Sequence, residues 1–158
     1  MNISNFFTLN KGKWVVQRTL YNIENKDIYN HNYDIKINFP LDSYAFREKK
    51  KLDRVLELTL FINNTLNQDI SSLMIEKMNE KHNRGNIKKF LKMNNITYNF
   101  ILHSNSVNYI SLINQIGQLT IFEKVWFVNS NLRLSISLIK KKNKYLLTSF
   151  TSEIKINS

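Results

Sequence analysis

The carboxyl-terminal part of the chain is a succession of strand patterns, and this feature constrains the fold most. From Ile96 onward, runs rich in β-branched and aromatic residues follow one another, with breaks at 104–105, 114–117, 129–131 and 142–144. Each break contains Asn, the non-glycine residue that best tolerates a positive φ. Four or five short runs in sequence, joined by such turns, predict an antiparallel meander.

The preceding residues predict a helix, two strands and a change of pattern. The first dozen residues indicate a short helix that stops near Gly12, and 14–23 and 33–39 have the composition of neighbouring strands. Between residues 41 and 95 the apolar residues recur at helical spacing, which predicts a helical middle segment. The residues that carry this spacing are Leu52, Val55, Leu56, Leu60, Ile70, Leu73, Met74 and Met78.

The size of the chain limits how these elements are combined. With 158 residues, 18.8 kDa and 42% hydrophobic residues, it has the length of one domain, which we assign to residues 1–158. Sequential hairpins in one domain predict a mainly β protein, an antiparallel up-and-down barrel with a helix near one end. A barrel of this kind can enclose one ligand.

Charge and cysteine content exclude several classes of function. Twenty-three Lys and Arg residues against twelve Asp and Glu residues give a net charge of +11, which favours acidic partners. The chain has no cysteine, so disulfides, thiolate metal sites and a cysteine nucleophile are excluded. Its three histidines are isolated, and we expect no metal site. We also expect neither a signal peptide nor a membrane span.

Polar residues alternate with apolar ones along the last three predicted strands. On the first of them, Glu123 interrupts an apolar row that runs from Leu119 to Phe127. The polar rows of the next two strands are Arg133, Ser135 and Ser137, then Ser149, Thr151 and Glu153. Either these rows face solvent and the intervening apolar residues form the core, or the barrel interior is polar in one sector. In the second case Glu123 can accept hydrogen bonds and Arg133 can bind a carboxylate.

Two motifs at opposite ends of the chain resemble one family. The residues 122–137 and 149–154 resemble the carboxyl-terminal signature of the S-type (CpcS/CpeS-like) phycobiliprotein lyases. At the amino terminus, 6–7, 12–14 and 17–19 resemble the opening helix and first strand of that family. The resemblance covers about the first forty and the last forty residues, so no pocket residue is transferred from the middle.

The resemblance implies a fold, an activity and partners. The fold would be a lipocalin-like or fatty-acid-binding-protein-like barrel. The activity would be binding of an open-chain tetrapyrrole, phycoerythrobilin or phycocyanobilin, and its attachment by a thioether bond to a cysteine of an apo-phycobiliprotein subunit, the β subunit by preference. The bilin would be a substrate and not a permanent cofactor. The location would be the plastid stroma, or the cytoplasm of a cyanobacterium.

The matched positions also imply residue roles. Glu123 would hydrogen-bond the pyrrole N–H groups or protonate the tetrapyrrole during addition, as a catalytic residue. Arg133, the second catalytic residue, would bind one propionate and Arg18 the other, because the guanidinium fork suits a carboxylate. The other matched positions expected to line the pocket are Asn22, Ser137 and Glu153, with Trp126 and Trp14 either as walls of the pocket or as core aromatics.

Two other functions compete with this interpretation. A non-catalytic barrel could carry a bilin or another acidic hydrophobic ligand without transferring it. An RNA-binding module would use the positive charge and the aromatic strands, but no nucleic-acid motif supports it, and we expect no nucleic-acid partner. The apolar rows of the last strands would also allow a homodimer.

Overall fold

A computed structural model describes residues 3–38, 55–63, 68–79, 83–90, 95–104 and 108–156 of the protein. Over these ranges the chain forms one short helix followed by ten strands. The helix is α1 (Ile3–Thr8), and the strands are β1 (Gly12–Asn22), β2 (Asp27–Asn38), β3 (Val55–Asn63), β4 (Gln68–Asn79), β5 (Arg84–Phe90), β6 (Asn95–Ser104), β7 (Asn108–Ile116), β8 (Leu119–Asn129), β9 (Leu132–Lys141) and β10 (Lys144–Ile156).

The ten strands form a closed antiparallel barrel. Each strand pairs with the next one in the sequence, and β1 also pairs with β10, which closes the ring. The β1–β10 register runs from Lys13 opposite Ile156 to Asn22 opposite Leu147. This arrangement confirms the predicted up-and-down barrel, in which sequential hairpins leave no strand without two neighbours.

The predicted helical middle segment is wrong for the residues that the structure describes. Residues 55–63, 68–79 and 84–90 are the strands β3, β4 and β5. The apolar residues of β3 also recur at every second position, from Leu56 to Ile62, so helical spacing and strand alternation both fit this short run. Pairing with β2 and β4 determines the outcome, because it satisfies the backbone groups of β3 on both sides. The rest of the predicted segment, including Leu52, lies outside the described residues.

The predictions for the two ends are confirmed, with one difference in length. The short helix is α1, the strand predicted at 14–23 is β1, and the carboxyl-terminal runs are β6 to β10. Strand β2 begins at Asp27 and not at Tyr33, because its first half lies opposite β1, from Asp27 paired with Asn22 to Asn32 paired with Gln17. These early residues are exposed and lack apolar alternation, so pairing with β1 and not burial keeps them extended.

The hydrophobic core lies at the end of the barrel that carries α1, which we call the base. Aromatic rings join the helix to the strands, with centroids 5.3 Å apart for Phe6 and Phe127 and 5.5 Å apart for Phe7 and Phe100. The buried core residues are Phe6, Phe7, Trp14, Val16, Ile35, Ile37, Phe100, Leu102 and Ile110. Helix α1 therefore covers the base with apolar side chains.

Gly12 makes the turn from the helix into β1. Its φ is +137°, a backbone conformation that residues with a side chain rarely adopt. A Cβ atom at this position would also lie 3.3 Å from the Lys155 stem. Glycine therefore permits the close approach of the first strand to the last one.

In the described residues, no helix has the length and apolar character needed to cross a membrane.

Phe6→Ala should lower the free energy of unfolding by about 3–5 kcal/mol, because it removes a fully buried ring that contacts Phe127. Urea denaturation followed by tryptophan fluorescence measures the change. Phe150→Ala is the matched control, since this ring is 46% exposed on the outside of β10. If the two variants lose equal free energies of unfolding, the assignment of the core is contradicted.

Candidate functional site

The polar rows of the last strands face the barrel interior. Arg133 and Glu153 are each only 8% exposed, whereas the neighbouring Ile154 is 56% exposed. Ser149 and Thr151 are buried as well, while Phe150 between them faces solvent. The interpretation with a polar interior sector is therefore confirmed, and the one with solvated polar rows is wrong. The core hydrophobic residues come from α1 and from other strands, which leaves these rows free to be polar.

The polar sector begins at the base with an ion pair. Arg133 of β9 lies directly opposite Glu153 of β10, and its Nε donates a hydrogen bond to the Glu153 carboxylate. Its Nη1 donates to Oδ1 of Asn10, and its guanidinium carbon lies 5.0 Å from the centre of the Trp14 ring. The guanidinium of Arg133 is thus held by three groups of the protein.

The same network fixes the end of α1. Asn10 donates from Nδ2 to the Phe6 backbone carbonyl oxygen at 3.0 Å. The backbone carbonyl oxygen of Asn10 accepts a hydrogen bond from the Trp14 indole N–H at 2.8 Å. Lys155 donates to the Leu9 carbonyl at 2.9 Å, and burial, together with the nearby Arg133 charge, lowers the pKa of its amine. Carbonyl groups at the end of α1 and in the turn that follows it are therefore satisfied by the side chains of Asn10 and Lys155.

A second group of polar side chains lies farther from the base, and we call it the lumen cluster. Its members are Arg18, Tyr33, Tyr98, Asn114 and Glu123. Burial raises the pKa of the Tyr33 and Tyr98 phenols, and the nearby Arg18 charge opposes this rise in both. The Glu123 charge adds to the rise at Tyr98, and the Asn114 side chain lies near the same phenol. Residues from β1, β2, β6, β7 and β8 thus meet inside the barrel.

The lumen cluster contains donors that the described residues do not use. Among the described residues, Nε of Arg18 and Nδ2 of Asn114 are buried side-chain atoms with no hydrogen-bond partner. Such atoms are rare in native structures, because an unsatisfied buried donor costs about 1–3 kcal/mol. These donors therefore make the lumen cluster the candidate ligand-binding site.

Hydroxyl groups extend the site from Glu123 toward β10. Ser137 lies opposite Glu123 on one side and opposite Ser149 on the other, and the two serine hydroxyls hydrogen-bond each other. The Arg18 position lies opposite Thr151. The polar sector is therefore continuous from β8 across β9 and β10 to β1.

The predicted site residues divide into three groups. Glu123, Ser137 and Arg18 lie in the barrel interior at or beside the lumen cluster, whereas Arg133 and Glu153 form the ion pair at the base. The remaining two are not brought to this site. Asn22 accepts backbone N–H groups of Glu24 and Asn25 in the β1–β2 turn, and Trp126 lies on the outer row of β8, where Lys124 approaches its ring.

Sequence reasoning missed Tyr33, Tyr98 and Asn114 as site residues. Tyr98 and Asn114 each interrupt an apolar row, as Glu123 does, because Ile96 and Phe100 flank Tyr98 and Leu112 and Ile116 flank Asn114. The break predicted at 114–117 is wrong for Asn114, since β7 continues to Ile116. Tyr33 follows polar and aromatic residues on its row of β2, so the sequence pattern gives no such signal there.

Arg133→Met should lower the free energy of unfolding by about 3–5 kcal/mol, because it leaves the Glu153 carboxylate buried without its counter-ion. The double variant R133M/E153M should recover most of this loss in urea denaturation. Lys144→Met is the matched control, since its ion pair with Glu24 is exposed and is worth at most about 1 kcal/mol. Equal losses for R133M and K144M would contradict a structural role of the base ion pair.

Burial raises the pKa of Tyr33 and of Tyr98 above the ordinary value of 10.0, and the Glu123 carboxylate adds to the shift at Tyr98. The unfolded chain releases these protons first, so stability is fully present below pH 10 and falls as the pH rises through the folded-state pKa. Urea denaturation as a function of pH should show this fall, and Y33F/Y98F should reduce its slope. Tyr145→Phe, at an exposed side chain, should retain the wild-type slope.

The chain resembles proteins of known family along most of its length. It is 33% identical over 152 residues to a chromophore lyase CpcS/CpeS homolog from Porphyra purpurea, covering 96% of each chain. It is 30% identical over 145 residues to a homolog of the same name from Gracilaria tenuistipitata var. liui, covering 92% of this chain and 91% of the relative.

A solved structure and a family model agree with these relatives. The S-type phycobiliprotein lyase CpeS from Guillardia theta has the same fold, with a TM-score of 0.74 and 18% identity, over 100% of this chain and 94% of that protein. The model of the family described as CpeS-like protein matches residues 62–156, from the end of β3 through β10. The chain belongs to the CpeS-like family.

Proposed function

We propose that the protein is a phycobiliprotein chromophore lyase. It would bind phycoerythrobilin or phycocyanobilin inside the barrel and attach it to a cysteine of a phycobiliprotein subunit. The β subunit is the expected acceptor. Family membership supports the activity, and the inward-facing polar sector supports the ligand. Such a protein would work where phycobiliproteins are assembled, in the plastid stroma or the cyanobacterial cytoplasm.

The chemistry of the interior suits an open-chain tetrapyrrole. This ligand has a long conjugated apolar skeleton, ring N–H donors, terminal lactam groups and two propionate carboxylates. The barrel offers apolar side chains toward the base, the Glu123 carboxylate as an acceptor, and the guanidinium of Arg18 as a cation. Charge-assisted hydrogen bonds from these two groups would be worth about 1.5–3 kcal/mol each.

Arg18 is the better propionate ligand of the two predicted arginines. The guanidinium of Arg133 is held by Glu153, Asn10 and Trp14, so binding a propionate there would require breaking a buried ion pair. In contrast, Nε of Arg18 has no hydrogen-bond partner among the described residues. We therefore assign the propionate contact to Arg18 and the support of the base to Arg133.

The proposed reaction is the addition of a thiol to the ethylidene group of the A-ring. The sulfur forms a bond to the exocyclic carbon, the carbon–carbon double bond becomes single, and the adjacent ring carbon takes the proton that the thiol loses. No oxidant or reductant is required. Since the chain has no cysteine, the thiol belongs to the acceptor subunit. Glu123 can pass the proton from the thiol to the ring carbon, and the barrel wall holds the flexible pigment in one orientation.

Glu123→Gln should still bind bilin, with an altered absorbance, and should transfer it at least about 100-fold more slowly, because an amide cannot relay the proton. The rate is measured as covalent pigment on the acceptor after a denaturing gel. Glu24→Gln is the matched control, since Glu24 lies in the exposed β1–β2 turn, and it should transfer at the wild-type rate. Transfer by E123Q at the wild-type rate would remove Glu123 from the mechanism.

Transfer separates the lyase from a non-catalytic carrier. The purified protein is titrated with phycoerythrobilin and with phycocyanobilin, and apo-phycobiliprotein β subunit is then added. A red-shifted bilin band followed by acid-stable fluorescence on the acceptor is the expected result. A red-shifted band without covalent transfer would support the carrier, and no spectral change with either pigment would contradict bilin binding.

A further inference from the structure

Asn114 is a buried polar residue whose place in the barrel is not explained by its contacts with the described residues. It is 6% exposed and lies on the same row of β7 as Ile110 and Leu112, which belong to the apolar interior. Directly opposite it on β8 is Ile121. Within the described ranges, its Nδ2 has no hydrogen-bond partner. An apolar residue of similar size would avoid the cost of this unsatisfied donor.

Tyr98 lies beside Asn114 on the neighbouring strand. The antiparallel register pairs Phe100 of β6 with Leu112 of β7. Tyr98 precedes Phe100 by two residues and Asn114 follows Leu112 by two, so both lie on the same face of the sheet and at the same level. The Asn114 side chain therefore lies near the Tyr98 phenol, and its effect on the phenol pKa opposes the rise that burial causes. Burial keeps this phenol in its neutral, protonated form, so it too can donate a hydrogen bond.

The donors of the lumen cluster differ in charge. Arg18 presents a cation, which suits a carboxylate, whereas Asn114 and Tyr98 present neutral donors to the same interior. A neutral acceptor needs no counter-charge, so neutral donors in a low-dielectric site can satisfy it, whereas a buried carboxylate is best matched by a cation such as Arg18. Among the polar groups of a tetrapyrrole, the terminal lactam carbonyls are neutral acceptors.

We propose that Asn114 and Tyr98 form a subsite that binds a terminal lactam carbonyl oxygen of the bilin, with Nδ2 of Asn114 as the principal donor. The subsite rests on the proposed bilin-binding function and makes it more specific. It fixes one end of the pigment, while Arg18 binds a propionate from the middle of the skeleton. Two fixed points of different chemistry set both the depth and the direction of the ligand in the barrel.

The test compares Asn114→Leu with the wild type for two ligands, phycocyanobilin and its dimethyl ester. Esterification removes both carboxylate charges and leaves the lactam groups unchanged. N114L should bind both ligands about tenfold more weakly, in equal proportion, because the lost hydrogen bond goes to a group that both contain. Its thermal midpoint should equal or exceed that of the wild type, since the unsatisfied donor is gone.

Arg18→Met is the matched control, and it should show the opposite pattern. It should weaken binding of the free acid and leave binding of the ester as in the wild type. An N114L variant that loses affinity for the acid alone would place Asn114 at a propionate and overturn the proposal. Unchanged affinity of N114L for both ligands would overturn it as well.

A second variant keeps the test decisive if N114L does not fold. Tyr98→Phe removes only the phenol hydroxyl, and it should weaken the binding of both ligands by the same factor, about threefold to tenfold. If Y98F binds both ligands with wild-type affinity, the proposed subsite is overturned. If the wild-type protein binds neither bilin, the proposed function fails, whereas loss of the subsite alone leaves wild-type binding intact.

Discussion

The ion pair between Arg133 and Glu153 is the constraint on which the rest of the barrel interior depends. Burying the charges of Arg133 and Glu153 inside a closed barrel carries a large desolvation cost. This cost is offset only if both groups are fully hydrogen-bonded. The pair therefore requires Asn10, and Asn10 in turn ties the end of α1 to the barrel. The helix, the first strand and the last two strands are held at one point by polar contacts. The apolar contacts of Phe6 and Phe7 then cover the base around that point.

This arrangement divides the interior into two parts with different tasks. At the base, every polar group named above has a partner in the protein, so no ligand is needed to satisfy its hydrogen bonds. In the lumen cluster, Arg18 and Asn114 have donors that the described residues do not satisfy. A binding site needs such unused groups, and their cost lowers the stability of the protein that carries them. The fully satisfied base allows the fold to tolerate that cost.

Sequence reasoning predicted the ends of the chain better than its middle, for a physical reason. In β9 and in the second half of β10 polar and apolar residues alternate and identify the strands, and in β8 a single carboxylate in an apolar row identifies Glu123. In β3 the apolar residues are so dense that helix and strand periods both fit, and only pairing with other strands decides. The role of Arg133 could not be derived from its motif, because its partner Asn10 is 123 residues away in the chain. Tyr98 and Asn114 come together only through the β6–β7 register.

The closure of the barrel also determines how copies of this protein can meet. Isoleucine and phenylalanine side chains of β9 and β10 are exposed on the outer surface, a composition that in an open sheet invites strand addition and fibril growth. Here β1 and β10 pair with each other, so neither offers unpaired backbone groups to another chain. Association through these rows is therefore limited to contact between sheet faces and cannot proceed by addition of a strand at β1 or β10.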